Sequence, residues 1–401
     1  MARRRSASER EQIAQLRRII YIAVIVVVAA LAVYYLFTGA DPLGLFTVPE
    51  AEQEQVAPQA FEPAITVGGG GDWWHVYFTD PVNRNDPSSL AGTVEGELIA
   101  LIDAAQSSIH VASFEFNLTP VAEALIAAKE RGVEILWVTD DEYGIDADEE
   151  EGHGQFAMLE DADIEVRDDD RGALMHNKFW IFDGQTVWTG STNVTVNGMF
   201  YNNNNVIVIR SPEVAEIYER EFDEMWDGEF GPTSSSTLAR QTANLDGSTV
   251  RVLFAAEDEV ASRLVPLVEG ARSSVRFMAF SFTHDELGAA VLARAQAGVD
   301  VRGIMETRGS ETEYSELPPL YCSGVPVRQD GNSRTFHHKV FVIDEQIVVT
   351  GSFNFSANAD ESNDENVIVI YNSDVAAQYL AEFERRWAEA SSPDAAEIEC
   401  P

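Results

Sequence analysis

The sequence predicts an α/β protein built from two similar units, each with a mixed β-sheet flanked by helices, packed about a pseudo-twofold axis. Two features of the 401-residue chain favour this fold. Apolar β segments alternate with helical patterns, and this alternation occurs twice along the chain. An apolar run near the N-terminus predicts an additional transmembrane helix.

The N-terminal segment carries a charge opposite to that of the rest of the chain. Residues 1–18 hold six arginines against two glutamates, and residues 19–37 form a run of 19 residues without a charge, long enough to cross a bilayer. The arginines predict a cytoplasmic N-terminus, which places the bulk of the chain outside the cytoplasm. We therefore expect a single-pass cell-membrane protein; a signal peptide cleaved near residues 38–40 is the alternative.

Residues 38–71 contain several prolines, glutamates and glutamines and end in four consecutive glycines, which predicts a linker that does not fold by itself. The aromatic segment from Asp72 to Phe78 predicts the first core strand. The two units are then expected at residues 72–235 and 236–401.

Both units begin with a helix, a buried strand and a second helix that ends at a glycine. These elements are predicted over residues 95–105, 107–114 and 119–132, and again over residues 260–271, 273–280 and up to 298. Strand pairs follow at 177–182 and 186–189 and at 338–343 and 347–350, and an amphipathic helix closes each unit. The spacing between equivalent positions is 166 at first and 161 later, so the intervening loops differ slightly in length.

A polar motif interrupts these apolar strands in both units with identical spacing. The first copy comprises His176, Lys178, Asp183, Ser191 and Asn193, and the second comprises His337, Lys339, Asp344, Ser352 and Asn354. The chain has only three lysines, and the motif uses two of them. Packing alone does not explain this pattern.

The residue types of the motif suit chemistry on a phosphodiester. Lysine charges, asparagine amides and serine hydroxyls from both units would neutralise its oxygens, while one histidine attacks as nucleophile and the other acts as general acid. The two aspartates are expected to hold the turns that follow the strands. A zinc site is the alternative, but a lysine two residues from each histidine repels a cation, so we expect neither metal nor cofactor. His338 alternates to the opposite face of its strand.

His-x-Lys, four residues, Asp, six residues and Gly-Ser-x-Asn, present twice, resembles the signature of the phospholipase D superfamily across roughly residues 90 to 390. The resemblance implies a two-domain α/β/α sandwich, no metal cofactor and cleavage through a phosphohistidine. It implies catalytic roles for His176, Lys178 and Asn193 and for their counterparts in the second unit.

One difference between the units predicts separate roles for the histidines. Glu365 lies 28 residues after His337, and the same step from His176 leads to Asn204. We expect Glu365 to hold His337 protonated and Asn204 to leave His176 neutral. His176 is then the nucleophile and His337 the general acid.

The net charge of the chain limits the classes of molecule that it is expected to bind. The chain has 27 basic and 67 acidic residues, a net charge of −40, which disfavours nucleic acid. With the predicted anchor, phospholipid is the expected substrate; an extracytoplasmic nuclease and a cardiolipin-synthase-like phosphatidyltransferase are the alternatives. The sequence predicts neither headgroup nor oligomeric state. An oxidising compartment permits a disulfide between Cys322 and Cys400, with two free thiols as the alternative.

Overall fold

Each repeat is organised around one eight-stranded mixed sheet, and both sheets have the same strand order. The computed structural model describes residues 67–400. The first sheet has the order β1-β2-β8-β7-β6-β3-β4-β5, with strands β1 Val67–Gly70, β2 Trp74–Phe78, β3 Ser108–Ser113, β4 Glu134–Thr139, β5 Glu165–Asp168, β6 Lys178–Phe182, β7 Thr186–Gly190 and β8 Asn205–Arg210. The second has the order β13-β12-β11-β14-β15-β16-β10-β9, with strands β9 Thr242–Leu245, β10 Ser248–Ala255, β11 Ser274–Ala279, β12 Asp300–Met305, β13 Val327–Gln329, β14 Lys339–Ile343, β15 Ile347–Gly351 and β16 Glu365–Tyr371.

The predicted duplication and mixed sheets are confirmed by the pairing of the strands. Strands β3, β4 and β5 run parallel to one another, as do β11, β12 and β13. The remaining neighbours in both sheets pair antiparallel. The helices that connect and cover the strands are α1 Val94–Ala104, α2 Thr119–Glu130, α3 Gln155–Asp161, α4 Pro212–Trp226, α5 Val260–Glu269, α6 Asp285–Gln296, α7 Leu317–Cys322, α8 Ala357–Glu361 and α9 Ser373–Glu389.

A shared core joins the two repeats. Buried side chains of both sheets and of helices α4 and α9 form one hydrophobic cluster. Reciprocal polar contacts cross this core: the hydroxyl of Tyr218 donates to Asn366 at 3.3 Å, and that of Tyr379 donates to Asn205 at 3.2 Å. Since the two tyrosines occupy equivalent positions in the repeats, as do the two asparagines, these contacts support the predicted pseudo-twofold arrangement.

The structure corrects the predicted end of the linker. Val67–Gly70 forms strand β1, which pairs antiparallel with β2, although the sequence assigned these residues to the linker. Gly68 has φ 146°, and a Cβ there would overlap the carbonyl oxygen of Val76. The glycine is therefore required by a close strand approach rather than by flexibility.

The predicted transmembrane helix at 19–37 and the basic segment before it lie outside the described residues. Within residues 67–400, no helix has the length and apolar character needed to cross a bilayer. The two cysteines are bonded: Cys322 and Cys400, whose pairing the sequence left open, form a disulfide with their Cα atoms 5.6 Å apart.

Candidate active site

The two His-Lys motifs occupy equivalent positions where strands β6 and β14 begin. Lys178 and Lys339 are the first residues of these strands, and each ammonium donates to the carbonyl oxygen of the histidine two residues before it, at 2.9 and 3.2 Å. Each ammonium also lies 4.9 Å from the ring centroid of a phenylalanine, Phe114 or Phe280. The ring of that phenylalanine packs edge-on against the histidine of the same repeat. The predicted duplication of the site therefore extends to its packing.

Each motif histidine is held by a residue of the opposite repeat, which corrects the predicted partners. The Nδ1 atom of His176 lies 2.8 Å from a carboxylate oxygen of Glu365. The Nδ1 atom of His337 lies 3.0 Å from the side-chain oxygen of Asn204. The sequence paired Glu365 with His337 and Asn204 with His176, and that pairing is wrong.

The crossed partners follow from the backbone between the repeats. The N–H of His176 donates to the carbonyl oxygen of Asp364 at 2.9 Å, and the N–H of His337 donates to that of Asn203, also at 2.9 Å. Strand β16 begins directly after Asp364, and strand β8 begins shortly after Asn203. Each histidine therefore lies next to a strand of the other repeat. Counting residues within one repeat cannot reveal a partner supplied across the interface.

The serines of the motif position the histidine partners. The hydroxyl of Ser191 donates to the side-chain oxygen of Asn204 at 2.8 Å, and the carbonyl oxygen of Ser191 lies 3.0 Å from Nδ1 of His337. Ser352 hydrogen-bonds to Glu365 in the equivalent place. The sequence predicts that both serine hydroxyls bind the phosphodiester; in the structure both serines hydrogen-bond to the side chains that orient the two rings.

Burial and nearby lysines keep both histidines neutral. Burial, reinforced by Lys178 and Lys339, holds the pKa of His176 well below its ordinary value. Burial and the same two lysines also lower the pKa of His337 well below its usual range. Both rings are therefore neutral at pH 7 before an anion binds.

The lysines and the carboxylate have displaced pKa values as well. Burial lowers the pKa of Lys178 to about 8 and that of Lys339 well below its ordinary value. Burial raises the pKa of Glu365 to about 8, although both lysines oppose the rise. A phosphodiester entering this site would favour the charged lysines and a protonated His337, because an anion stabilises neighbouring cations.

The motif asparagine of the first repeat, Asn193, has an acidic partner. The Nδ2 atom of Asn193 donates to a carboxylate oxygen of Glu115 at 2.8 Å. At the position equivalent to Glu115, the sequence of the second repeat has Ser281. Sequence reasoning missed Glu115, because its counterpart is not acidic and left no repeated signal.

Two further acids orient the backbone in front of the histidines, and sequence reasoning missed both. A carboxylate oxygen of Asp140 accepts from the N–H of Met175 at 3.1 Å, and one of Glu306 accepts from the N–H of Phe336 at 2.6 Å. Each acid directly follows a parallel strand, and the two occupy equivalent positions in the repeats. That equivalence was the signal that could have found them.

One carboxylate group in the described part of the chain is compact enough to hold a metal ion, namely Asp140, Asp141 and Asp169. Two of its members already have partners. Asp169 accepts from the N–H of Asp141 at 3.1 Å and pairs with Arg171 at 3.0 Å, and Asp140 accepts from Met175. These contacts give the group a structural role in supporting the segment before His176.

Asp183 and Asp344 hold the turns after strands β6 and β14, as predicted. Asp183 accepts from the backbone N–H groups of Gln106, Ser107 and Ser108, and Asp344 makes the equivalent contacts in the second repeat. Burial alone would raise the pKa of Asp183, but these donors outweigh it and lower the pKa. His338 is fully buried and bonds to Asn205, outside the catalytic set.

The fold and the paired motifs define a phospholipase D-like protein. The chain belongs to the family described as "Cardiolipin synthase, PLD-like domain", whose model matches residues 98–226 and 264–387, one segment in each repeat.

Named relatives support this membership. The "Mitochondrial cardiolipin hydrolase" of Xenopus tropicalis is 36% identical over 132 residues, which cover 33% of this chain and 63% of the relative. The "Phospholipase D" of Rickettsia bellii is 31% identical over 138 residues, 34% of this chain and 69% of the relative. The chain thus spans less than two thirds of the first relative.

A solved structure supports the two-repeat fold. The phosphatidylserine synthase of Haemophilus influenzae matches with a TM-score of 0.53 over 74% of this chain and 83% of that protein. At 14% sequence identity the likeness concerns the fold alone.

Proposed function

We propose that this chain is a phospholipase D-type phosphodiesterase that hydrolyses phospholipid headgroup esters through a phosphohistidine on His176. The observation that carries the proposal is the pair of histidines oriented through Nδ1 by the opposite repeat, beside two buried lysines. In this orientation Nε2 is the ring nitrogen available to a substrate. The relatives named for cardiolipin and phospholipid hydrolysis support the substrate class.

The first step would transfer the phosphatidyl group to the enzyme. The Nε2 lone pair of His176 attacks phosphorus, the bond from phosphorus to the headgroup oxygen breaks, and His337 gives its proton to that oxygen. Lys178, Lys339 and the motif asparagines neutralise the phosphoryl oxygens as charge develops. In the second step His337 removes a proton from water, which attacks phosphorus and releases phosphatidate from His176.

The role of Glu365 differs from the one that the sequence predicts. Its ionised carboxylate accepts a hydrogen bond from Nδ1–H of His176, which fixes the tautomer whose Nε2 can attack. It also stabilises the positive charge that the ring acquires when it bonds to phosphorus. His176 therefore stays the proposed nucleophile, for a reason opposite to the one derived from residue spacing.

We further propose that residues 19–37 anchor the protein and that the catalytic unit lies outside the cytoplasm. The uncharged run, the arginines before it and the Cys322–Cys400 disulfide support this location. Protease added to intact cells should remove the bulk of the chain, and full protection would refute the topology.

The activity is tested with the full chain on phospholipid vesicles and on DNA in parallel, with His176→Ala as the inactive control. Headgroup release from vesicles, absent in the control, is the expected result. A nuclease is the alternative from the same superfamily, but a net charge of −40 opposes it. Cleavage of DNA without headgroup release would favour the nuclease.

A further inference from the structure

The first half-site, formed by the motif residues of the first repeat, contains an acid that the second half-site lacks. Glu115 lies two residues after Ser113, which pairs with Lys178 between strands β3 and β6. The carboxylate of Glu115 accepts a hydrogen bond from Nδ2 of Asn193 at 2.8 Å. The equivalent residue of the second repeat, Ser281, is short and uncharged. Glu115 is therefore a feature of one half-site rather than of the duplicated scaffold.

The bond to Glu115 determines the orientation of the Asn193 amide. An ionised carboxylate only accepts hydrogen bonds, so it selects the nitrogen end of the amide and not the oxygen end. The amide nitrogen carries two hydrogens, of which this bond uses one. The other can bind a phosphoryl oxygen, which is the role proposed for the motif asparagines. A bond to an ionised acceptor is also stronger than one between neutral groups, so the amide is held firmly.

Glu115 also acts on the lysine of its half-site. Burial raises the pKa of Glu115, and the charge of Lys178 is the largest effect that opposes this rise. His153 also favours the ionised form of Glu115, and Asp140 disfavours it. Burial lowers the pKa of Lys178 to about 8, and the carboxylates that oppose this lowering are, in order, Glu365, Glu115 and Asp140. Glu115 and Lys178 therefore stabilise each other's charge.

The lysine of the second half-site has less support. Burial, reinforced by the charge of Lys178, holds the pKa of Lys339 well below its usual range, and the carboxylate that opposes this effect is Glu365. Ser281 supplies no charge at the position equivalent to Glu115. Lys178 is therefore the lysine that is protonated more readily in the free protein.

We propose that Glu115 is a positioning residue of the first half-site, whose carboxylate fixes the amide of Asn193 and stabilises the positive charge of Lys178 before a phosphodiester binds. The inference rests on the proposed phosphodiester cleavage and gives a role to a residue outside the repeated motif. In this role Glu115 acts through Asn193 and Lys178 rather than on phosphorus. Removing its charge should weaken the first half-site while every motif residue stays in place.

Binding of sulfate tests the effect on Lys178 without catalysis, because sulfate is a tetrahedral anion that keeps its charge at neutral and alkaline pH. Titration calorimetry of the full chain at a series of pH values measures the affinity. The affinity of the wild type should fall as the pH rises through the pKa of Lys178, about 8. In Glu115→Gln this fall should occur about one pH unit lower, because a nearby opposite charge shifts a pKa by about that much.

Turnover of a nitrophenyl phosphodiester tests the effect on Asn193. Glu115→Ser, which copies Ser281, should lower kcat about tenfold at its pH optimum, because the amide loses one hydrogen bond to a charged group. Glu115→Gln keeps an acceptor for the amide and should retain most of the wild-type kcat. Equal losses of kcat in the two variants would contradict the orienting role.

Glu142→Gln is the matched control, because Glu142 is exposed and lies outside the set of carboxylates that support the charge of Lys178. It should bind sulfate as the wild type does at every pH. An unchanged pH dependence in Glu115→Gln, or a wild type that binds no sulfate, would refute the role of Glu115 but not the proposed function. A pH shift in sulfate binding without headgroup release from phospholipid vesicles would support the role of Glu115 and refute the proposed substrate.

Discussion

The two half-sites share their scaffold and differ in their charges. In both half-sites, the lysine donates to the backbone carbonyl oxygen of the histidine two residues before it, and a phenylalanine packs against the ring of that histidine. In both, an acidic side chain also accepts from the backbone N–H of the residue before the histidine. The partner of the ring differs: Glu365 holds His176, and Asn204 holds His337. One fold, duplicated, thus presents two histidines in similar positions with different electrostatic surroundings.

The difference explains how one reaction can use both rings. A carboxylate at Nδ1 favours a ring that accepts positive charge, as a nucleophile does on bonding to phosphorus. An amide oxygen at Nδ1 orients the ring without adding charge, so the protonation of His337 depends on the bound phosphodiester. The asymmetry is the basis of the proposed roles, in which His176 attacks phosphorus and His337 donates the proton.

The largest expected effect separates the two histidines. His176→Ala should lower kcat by about 10³-fold or more on every substrate, because the nucleophile is lost. His337→Ala should cause a similar loss of kcat with phospholipid. With a nitrophenyl phosphodiester, whose leaving group hardly needs a proton, it should still release a burst of about one nitrophenol per enzyme, because only the later hydrolysis of the phosphoenzyme needs His337 as base. Absence of this burst in His337→Ala would contradict the division of labour.

Glu365→Gln should lower kcat by about 10²-fold and change the pH profile. The carboxylate must be ionised, so wild-type activity should fall as the pH drops below the pKa of Glu365 at about 8. Lys178 must be protonated, so activity should also fall above its pKa of about 8. The wild-type kcat, which reports the enzyme with a phosphodiester bound and His337 protonated, should then be bell-shaped.

The glutamine variant should lose the acidic limb of this profile and keep the basic one. An acidic limb that survives unchanged in Glu365→Gln would show that another group controls it.

The disulfide distinguishes the ends of the two repeats, since Cys322 and Cys400 tie the C-terminal tail to helix α7 with a sequence separation of 78. Replacing both cysteines by serine should lower the free energy of unfolding by about 4 kcal/mol in the chain-entropy model. Chemical denaturation with and without reductant measures this. A wild-type protein that is equally stable with and without reductant would refute the predicted contribution of the disulfide.

The smallest effect concerns a feature that the repeats share. Asp183→Asn and Asp344→Asn should each lower the free energy of unfolding by about 1–3 kcal/mol, because each removes a charge that accepts several backbone bonds. The folded pKa of both aspartates is depressed, so this stability exists above their unfolded pKa and disappears as the pH falls through the folded value. Clearly unequal losses at pH 7 would show that the repeats differ here too.

The fold and the motif residues could be predicted because the chain contains its signal twice. Strands β6 and β14 differ from the predicted ranges by one residue at their start, and Asp183 holds its turn as expected. Duplication made each polar residue of the motif recognisable against an apolar background.

The features that the sequence could not predict depend on contacts between the repeats, or on residues that have no chemically similar counterpart in the other repeat. The partner of each histidine crosses the interface, and spacing within a repeat pointed to the wrong ring. Glu115 has no acidic counterpart and so left no repeated signal. The glycines before Trp74 have the composition of a linker, and only their pairing with β2 shows that they form a strand.

The site of phosphorylation tests the central claim most directly. The full chain is mixed with a nitrophenyl phosphodiester, quenched during turnover, and digested for mass spectrometry under conditions that preserve phosphohistidine. The account predicts the modification on His176 in the wild type and in His337→Ala. Phosphohistidine on His337 in the wild type would contradict the roles assigned to the crossed partners.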